Sequence, residues 1–90
     1  MIDAVDVYWR QGCGFCTVLL RQLERTGLPL RLHDIWADPD AAATVRAAAR
    51  GNETVPTVAV GDEFLVNPRL DAVVELVGRR APHLVPSTGP

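Results

Sequence analysis

The 90-residue chain predicts a small α/β domain of order β-α-β-α-β-β-α, a central four-stranded mixed sheet flanked by three helices. Three observations carry this. Two short apolar segments, near residues 3–8 and 30–35, are each followed by a longer stretch with helical spacing. Two further short segments, Thr57 to Val60 and Glu63 to Val66, are separated only by Gly61-Asp62, a tight hairpin turn. The last stretch carries Leu70, Val73, Val74 and Val77, an i, i+3, i+4, i+7 stripe.

Asp3 to Tyr8 alternates apolar and polar residues as a first strand does. Gly14 to Thr26 follows as a helix with Val18, Leu19, Leu20 and Leu23 on its apolar face and Gly27 as its C-terminal cap. Leu30 to Ile35 reads as the second strand, with Leu30, Leu32 and Asp34 on one face. Asp38-Pro39 combines an N-cap with a proline at the first helical position. The helix it opens is rich in alanine, ends near Gly51, and is expected to lie close against the sheet. Asn67-Pro68 repeats the N-cap-plus-proline signal, and Gly78 and Pro82 are expected to bound the last helix. Residues 1–81 form one domain in this reading, and 82–90, rich in Pro, Ser and Gly, form a frayed tail.

Ninety residues suffice for one small domain. A hydrophobic share of 48% excludes global disorder, and a net charge of −2 argues against a nucleic-acid partner. No apolar run is long enough to span a bilayer, and the acidic start Met1 to Asp6 does not resemble a signal peptide. A cytoplasmic monomer is therefore expected. In that compartment paired cysteines are more often catalytic or metal-binding than structural.

The only two cysteines form Cys13-Gly14-Phe15-Cys16, between the first strand and the first helix. The amides and positive dipole end of a helix N-terminus stabilise a thiolate, the species that attacks disulfides. Cys13 is the expected nucleophile, exposed and approachable by Arg10, and Cys16, one turn further in, is the expected resolving thiol. A structural zinc pair is the competing reading. It needs about four ligands, and only His33, placed on an inner strand, and His83, in the tail, supply further nitrogens. The tryptophans read first as packing residues: Trp9 as partly buried core, with a site-flanking aromatic as its alternative, and Trp36 as packing at a strand end.

The order of elements, the Cys-x-x-Cys and Thr54-Val55-Pro56 together resemble the thioredoxin fold and, within it, the glutaredoxin family, across residues 3 to 80. The resemblance implies that Pro56 is cis and faces the cysteines, and that Val55 offers its backbone to an extended substrate. Arg10 stands where glutaredoxins often carry a basic residue, three positions before the first cysteine. Gly14 leaves room for a bulky mixed disulfide beside Cys13, Phe15 covers or packs the site edge, and Asn67 borders the thiol pocket at a helix start.

Cys-Gly-Phe-Cys is most similar to the Cys-Gly-Tyr-Cys of mycoredoxins, the mycothiol-linked branch. Val66-Asn67-Pro68-Arg69 replaces the Gly-Gly and acidic residues that hold glutathione in many relatives. All nine basic residues are arginine, a composition that GC-rich coding produces, and GC-rich actinobacteria use mycothiol. The resemblance thus implies reduction of protein–mycothiol mixed disulfides or protein disulfides. Mycothiol or glutathione would be the co-substrate, no cofactor would be tightly bound, and NADPH would contribute only through a separate flavoprotein disulfide reductase. The alternatives are a thioredoxin-like dithiol donor, for example to ribonucleotide reductase or a peroxidase, and an iron–sulfur or metal-binding module.

Overall fold

The structure, a computed structural model, describes residues 1–86. Its middle layer is one four-stranded sheet of order β2-β1-β3-β4. β1 (Val5–Trp9) runs parallel to β2 (Leu30–Asp34), and β3 (Thr57–Val60) is antiparallel to both β1 and β4 (Glu63–Val66). α1 (Gly14–Thr26), α2 (Pro39–Ala48) and α3 (Leu70–Arg80) complete the expected order. Because β1 and β2 are parallel and joined through α1, both strands end at the same edge of the sheet. The β1–α1 and β2–α2 connections therefore meet there.

The pleat of β1 divides the interior. Val5 and Val7 join Leu19 and Leu23 of α1, Val58 and Val60 of β3, and Val73, Leu76 and Val77 of α3. Tyr8 points to the other face, where it meets Ile35, Ala59 and the small residues Ala41, Ala42 and Val45 of α2. The sheet thus lies between α1 and α3 on one side and α2 on the other. β3 is covered on both faces, which is why all four of its residues are apolar or fully hydrogen-bonded and buried.

Local signals act as expected at two helix ends. The Asp38 carboxylate accepts from the Asp40 amide at 3.0 Å, and Gly27 takes the left-handed conformation, φ +76°, that closes α1. No helix among the described residues is long and apolar enough to cross a membrane.

Other signals are overridden. Gly78 lies inside α3, which continues to Arg80. Arg80 pairs with Asp62 at 2.8 Å and Glu63 at 3.0 Å, tying the helix end to the β3–β4 hairpin. Asn67 does not cap α3. The N-cap is Arg69, without a side-chain bond, whereas Asn67 sits at φ +49° and donates its amide to Pro56 O at 2.8 Å. β2 is an edge strand, so Leu32 is half exposed and His33 is not on an inner strand. Instead His33 Nε2 lies 2.8 Å from Asp6 Oδ1, and its ring stacks on Tyr8 at 4.6 Å. Of the segment read as a tail, Pro82–Leu84 forms a 3-10 turn, Leu84 packs against the larger core, and His83 Nε2 lies 2.6 Å from Ile2 O. Residues 87–90 of that segment lie outside the described residues.

Candidate active site

Cys13 is itself the N-cap of α1. Its backbone is extended, φ −97° and ψ 103°, and its sulfur accepts from the Cys16 amide at 3.2 Å. Its carbonyl takes both the amide of Thr17, at 3.1 Å, and the Thr17 hydroxyl, at 3.2 Å. A sulfur in the place where Asp or Ser usually caps a helix faces the Cys16 N–H and the positive end of the helix dipole, an arrangement that favours negative charge there.

The facing wall is Thr54-Val55-Pro56. The Val55–Pro56 bond is cis, as the resemblance implied. The Cys13 thiol is directed at Val55 O, 3.8 Å away. This wall is anchored on both sides: the Thr57 hydroxyl donates to Thr54 O at 2.8 Å, and Pro56 O accepts from Asn67. Asn67 therefore reaches the site edge through its backbone, not as a helix cap.

Both thiols are free. Cys16 is the deeper, at 1% exposure, but Cys13 is also buried, at 8%, and the expectation of an exposed Cys13 is corrected. Its sulfur turns inward towards the Cys16 amide and the Val55 carbonyl instead of outward. Burial pushes the Cys16 thiol up to about 12, and its hydrogen bond with Cys13 adds to the effect. Cys16 therefore stays protonated at neutral pH, as a thiol waiting in reserve should. The helix start beside Cys13 is open: a Cβ on Gly14 would meet nothing within 4 Å, and Phe15 is exposed at 73%, so it packs against no core.

Arg10 is not a plain solvated side chain. Its Nη1 donates to Gln11 O at 2.9 Å, and its guanidinium lies 5.1 Å from the centre of the Trp36 ring. Trp36, expected to be packing, is 65% exposed. Trp9 is only partly buried and lines a groove with Arg10, Gln11, Thr17, Arg21 and Cys16, outside both cores. Both aromatic residues flank Arg10; the site-flanking alternative for Trp9 holds, and the place of Trp36 was missed in the sequence. The available signal was position: Trp9 is the last residue of β1 and Trp36 stands two residues past the end of β2, where side chains leave the core. Among the described residues no group of three or more His, Cys, Asp or Glu side chains converges, and His33 and His83 are held by Asp6 and Ile2, away from the cysteines.

The glutaredoxin family model matches residues 5–65. No curated protein matches the chain in sequence. Among solved structures, the glutaredoxin-like NrdH-redoxin from Escherichia coli superposes with a TM-score of 0.68 at 28% identity, covering 80% of this chain and 92% of its own. Glutaredoxin from Brucella melitensis gives 0.66 at 25% identity over 93% and 90%. The thioredoxin-like protein BC3987 gives 0.71 at 18% identity over 80% and 97%, a likeness of fold alone. With a cysteine pair at the head of α1, a facing cis-proline and a family match over most of its length, the chain belongs to the glutaredoxin family.

Proposed function

We propose that the protein is a thiol–disulfide oxidoreductase that reduces mixed disulfides between proteins and mycothiol. The observation that carries the exchange chemistry is the Cys16 amide bonded to the Cys13 sulfur, with Cys16 itself held as a protonated thiol. The Cys13 thiolate attacks the small-thiol sulfur of the mixed disulfide. The old S–S bond breaks, a Cys13–mycothiol disulfide forms, and the reduced protein leaves as a thiolate that takes a proton. A second mycothiol then attacks this intermediate, freeing Cys13 and departing as the mycothiol disulfide. In the dithiol branch Cys16 gives up its proton and attacks the Cys13 sulfur instead; the Cys13–mycothiol bond breaks, mycothiol leaves as a thiolate that takes a proton, and the resulting Cys13–Cys16 disulfide is reduced by an external dithiol or two small thiols.

Open space at Gly14 and the absence of a Gly-Gly pair at Val66-Asn67 support a bulky, carboxylate-free thiol over glutathione. NADPH would supply the electrons through a separate flavoprotein reductase.

A second reading is a thioredoxin-like dithiol donor. It is favoured by the 28% identity to NrdH-redoxin, which is described as having a thioredoxin-like activity profile. Turnover of one mixed disulfide with mycothiol and its reductase, glutathione and its reductase, and thioredoxin reductase supplied in turn separates them. Fastest turnover with mycothiol is expected. Turnover with thioredoxin reductase alone would replace the first reading by the second.

A further inference from the structure

We propose that Trp36 is a positioning residue that holds the Arg10 guanidinium at the rim of the Cys13–Cys16 site, where it receives a carboxylate from an acidic segment of the protein whose disulfide is attacked. The inference rests on the exchange chemistry above and deepens it by naming the protein-side contact.

Trp36 is a large indole left 65% exposed on a backbone that is firmly pinned. Its amide donates to Asp34 Oδ1 at 2.9 Å, and the amides of Ala37 and Asp38 both donate to Asp34 O, at 3.2 and 3.0 Å. On its other side Ile35 is buried and donates to Trp9 O at 3.0 Å, so the turn that carries Trp36 is bonded to the residue just before Arg10. The indole is thus presented, not loosely displayed.

Arg10 is confined by two contacts. Its guanidinium lies over the Trp36 ring at 5.1 Å, and Nη1 donates to Gln11 O at 2.9 Å. Gly12 sits at φ +73°, a conformation suited to glycine, so the turn beneath Arg10 is built without a side chain. One hydrogen bond to a carbonyl leaves most of the five guanidinium donors unused.

The charge is also uncompensated. Among the described residues Arg31, Arg46, Arg69, Arg79 and Arg80 each have a carboxylate within 4 Å, whereas Arg10, like Arg25 and Arg50, has none. Arg21, on the same groove, has none either, and the groove's one carboxylate, Glu24, stands two helical turns beyond Cys16. A fixed, unpaired cation beside a reactive cysteine pair points to an external anion.

A peptide fits better than a small anion because the surroundings are broad and aromatic. Trp36 is exposed by 65%, Trp9 lines the groove together with Arg10, and Phe15, in the first turn of α1, is exposed by 73%. Aromatic residues and arginine are the types that anchor protein interfaces.

The test uses two synthetic peptides with one disulfide each, differing only in Glu or Gln on either side of a cysteine, with kcat and KM measured for both. The wild-type protein is expected to favour the Glu peptide by about threefold to fivefold in kcat/KM, carried by KM and shrinking with added salt. Arg10→Gln and Trp36→Ala should each bring the Glu/Gln ratio close to one, without adding when combined. Trp36→Phe, which keeps an aromatic face, should retain most of the preference. Equal use of both peptides by the wild type overturns the proposal, as does a Trp36→Ala variant that slows both equally, the result of a merely structural role. A charge preference confined to a small carboxylate-bearing thiol, with none among peptides, also overturns it. If neither peptide is turned over, the exchange reading fails instead. Binding of the Glu peptide, followed by tryptophan fluorescence, then still decides: absence of binding overturns the proposal.

Discussion

The amide of Cys16 donates to the sulfur of Cys13 across 3.2 Å, so the second cysteine serves the first through its backbone before any chemistry of its own. The two roles of Cys16 are separable, because its side chain can be replaced while its amide stays.

Replacing Cys13 by Ser should abolish reduction of every disulfide while leaving the fold intact, because a serine hydroxyl also caps a helix. Cys16→Ser keeps the amide-to-sulfur bond. It should retain reduction of mixed disulfides with a small thiol and lose most activity on intramolecular protein disulfides, which need a resolving thiol. Parallel assays on one substrate of each kind check this. Loss of both activities in Cys16→Ser would show that the monothiol cycle does not operate.

The buried Cys16 thiol, pushed up to about 12, should resist alkylation. Iodoacetamide at pH 8 is expected to add one group to the folded protein, at Cys13, and two after denaturation, read by intact mass. Two adducts on the folded chain would contradict the burial. The same shift sets a pH dependence. The folded chain holds this proton until about 12 while the unfolded chain releases it near 9, so stability should fall as pH rises through that window. Cys16→Ser should flatten the decline in urea midpoint between pH 8 and 10.5.

Asp6 anchors the outer edge of the sheet. Burial alone would raise its carboxyl, but hydrogen bonds from Arg31, at 2.7 Å, and with His33 outweigh it and hold the group below the usual 3.8. A depressed carboxyl stabilises the fold above the unfolded value, and the contribution is lost as pH falls through the folded one. Asp6→Asn should cost about 1 kcal/mol at pH 7, because Arg31 is half exposed and keeps Asp3, and close to nothing at pH 2. Urea unfolding at the two pH values tests the difference.

Leu23 is fully buried between α1, the sheet and α3, whereas Leu32 on edge strand β2 is 51% exposed. Leu23→Ala should cost about 2–5 kcal/mol by leaving a cavity, and Leu32→Ala no more than about 0.5 kcal/mol. Urea midpoints for the pair test whether β2 is an edge, as the strand order requires.

The sequence by itself determined the order of elements, the hairpin at Gly61-Asp62, the capping roles of Asp38 and Gly27, and the Cys13–Cys16 pair at a helix start. These are local: each depends on residues within a turn or two, where dihedral preference and hydrophobic period act directly. Thr54-Val55-Pro56 was legible only through likeness to relatives, since its partner across the site lies 42 positions away. Tertiary structure alone decided the rest. Strand order put β2 at the edge and so exposed Leu32 and left His33 to pair with Asp6. A contact with Pro56 pulled Asn67 out of the helix cap, and ion pairs to the hairpin carried α3 past Gly78. The parallel pairing of β1 and β2 brought Trp36 over Arg10, 26 positions apart, a relation no local pattern encodes because it depends on which strand ends share an edge.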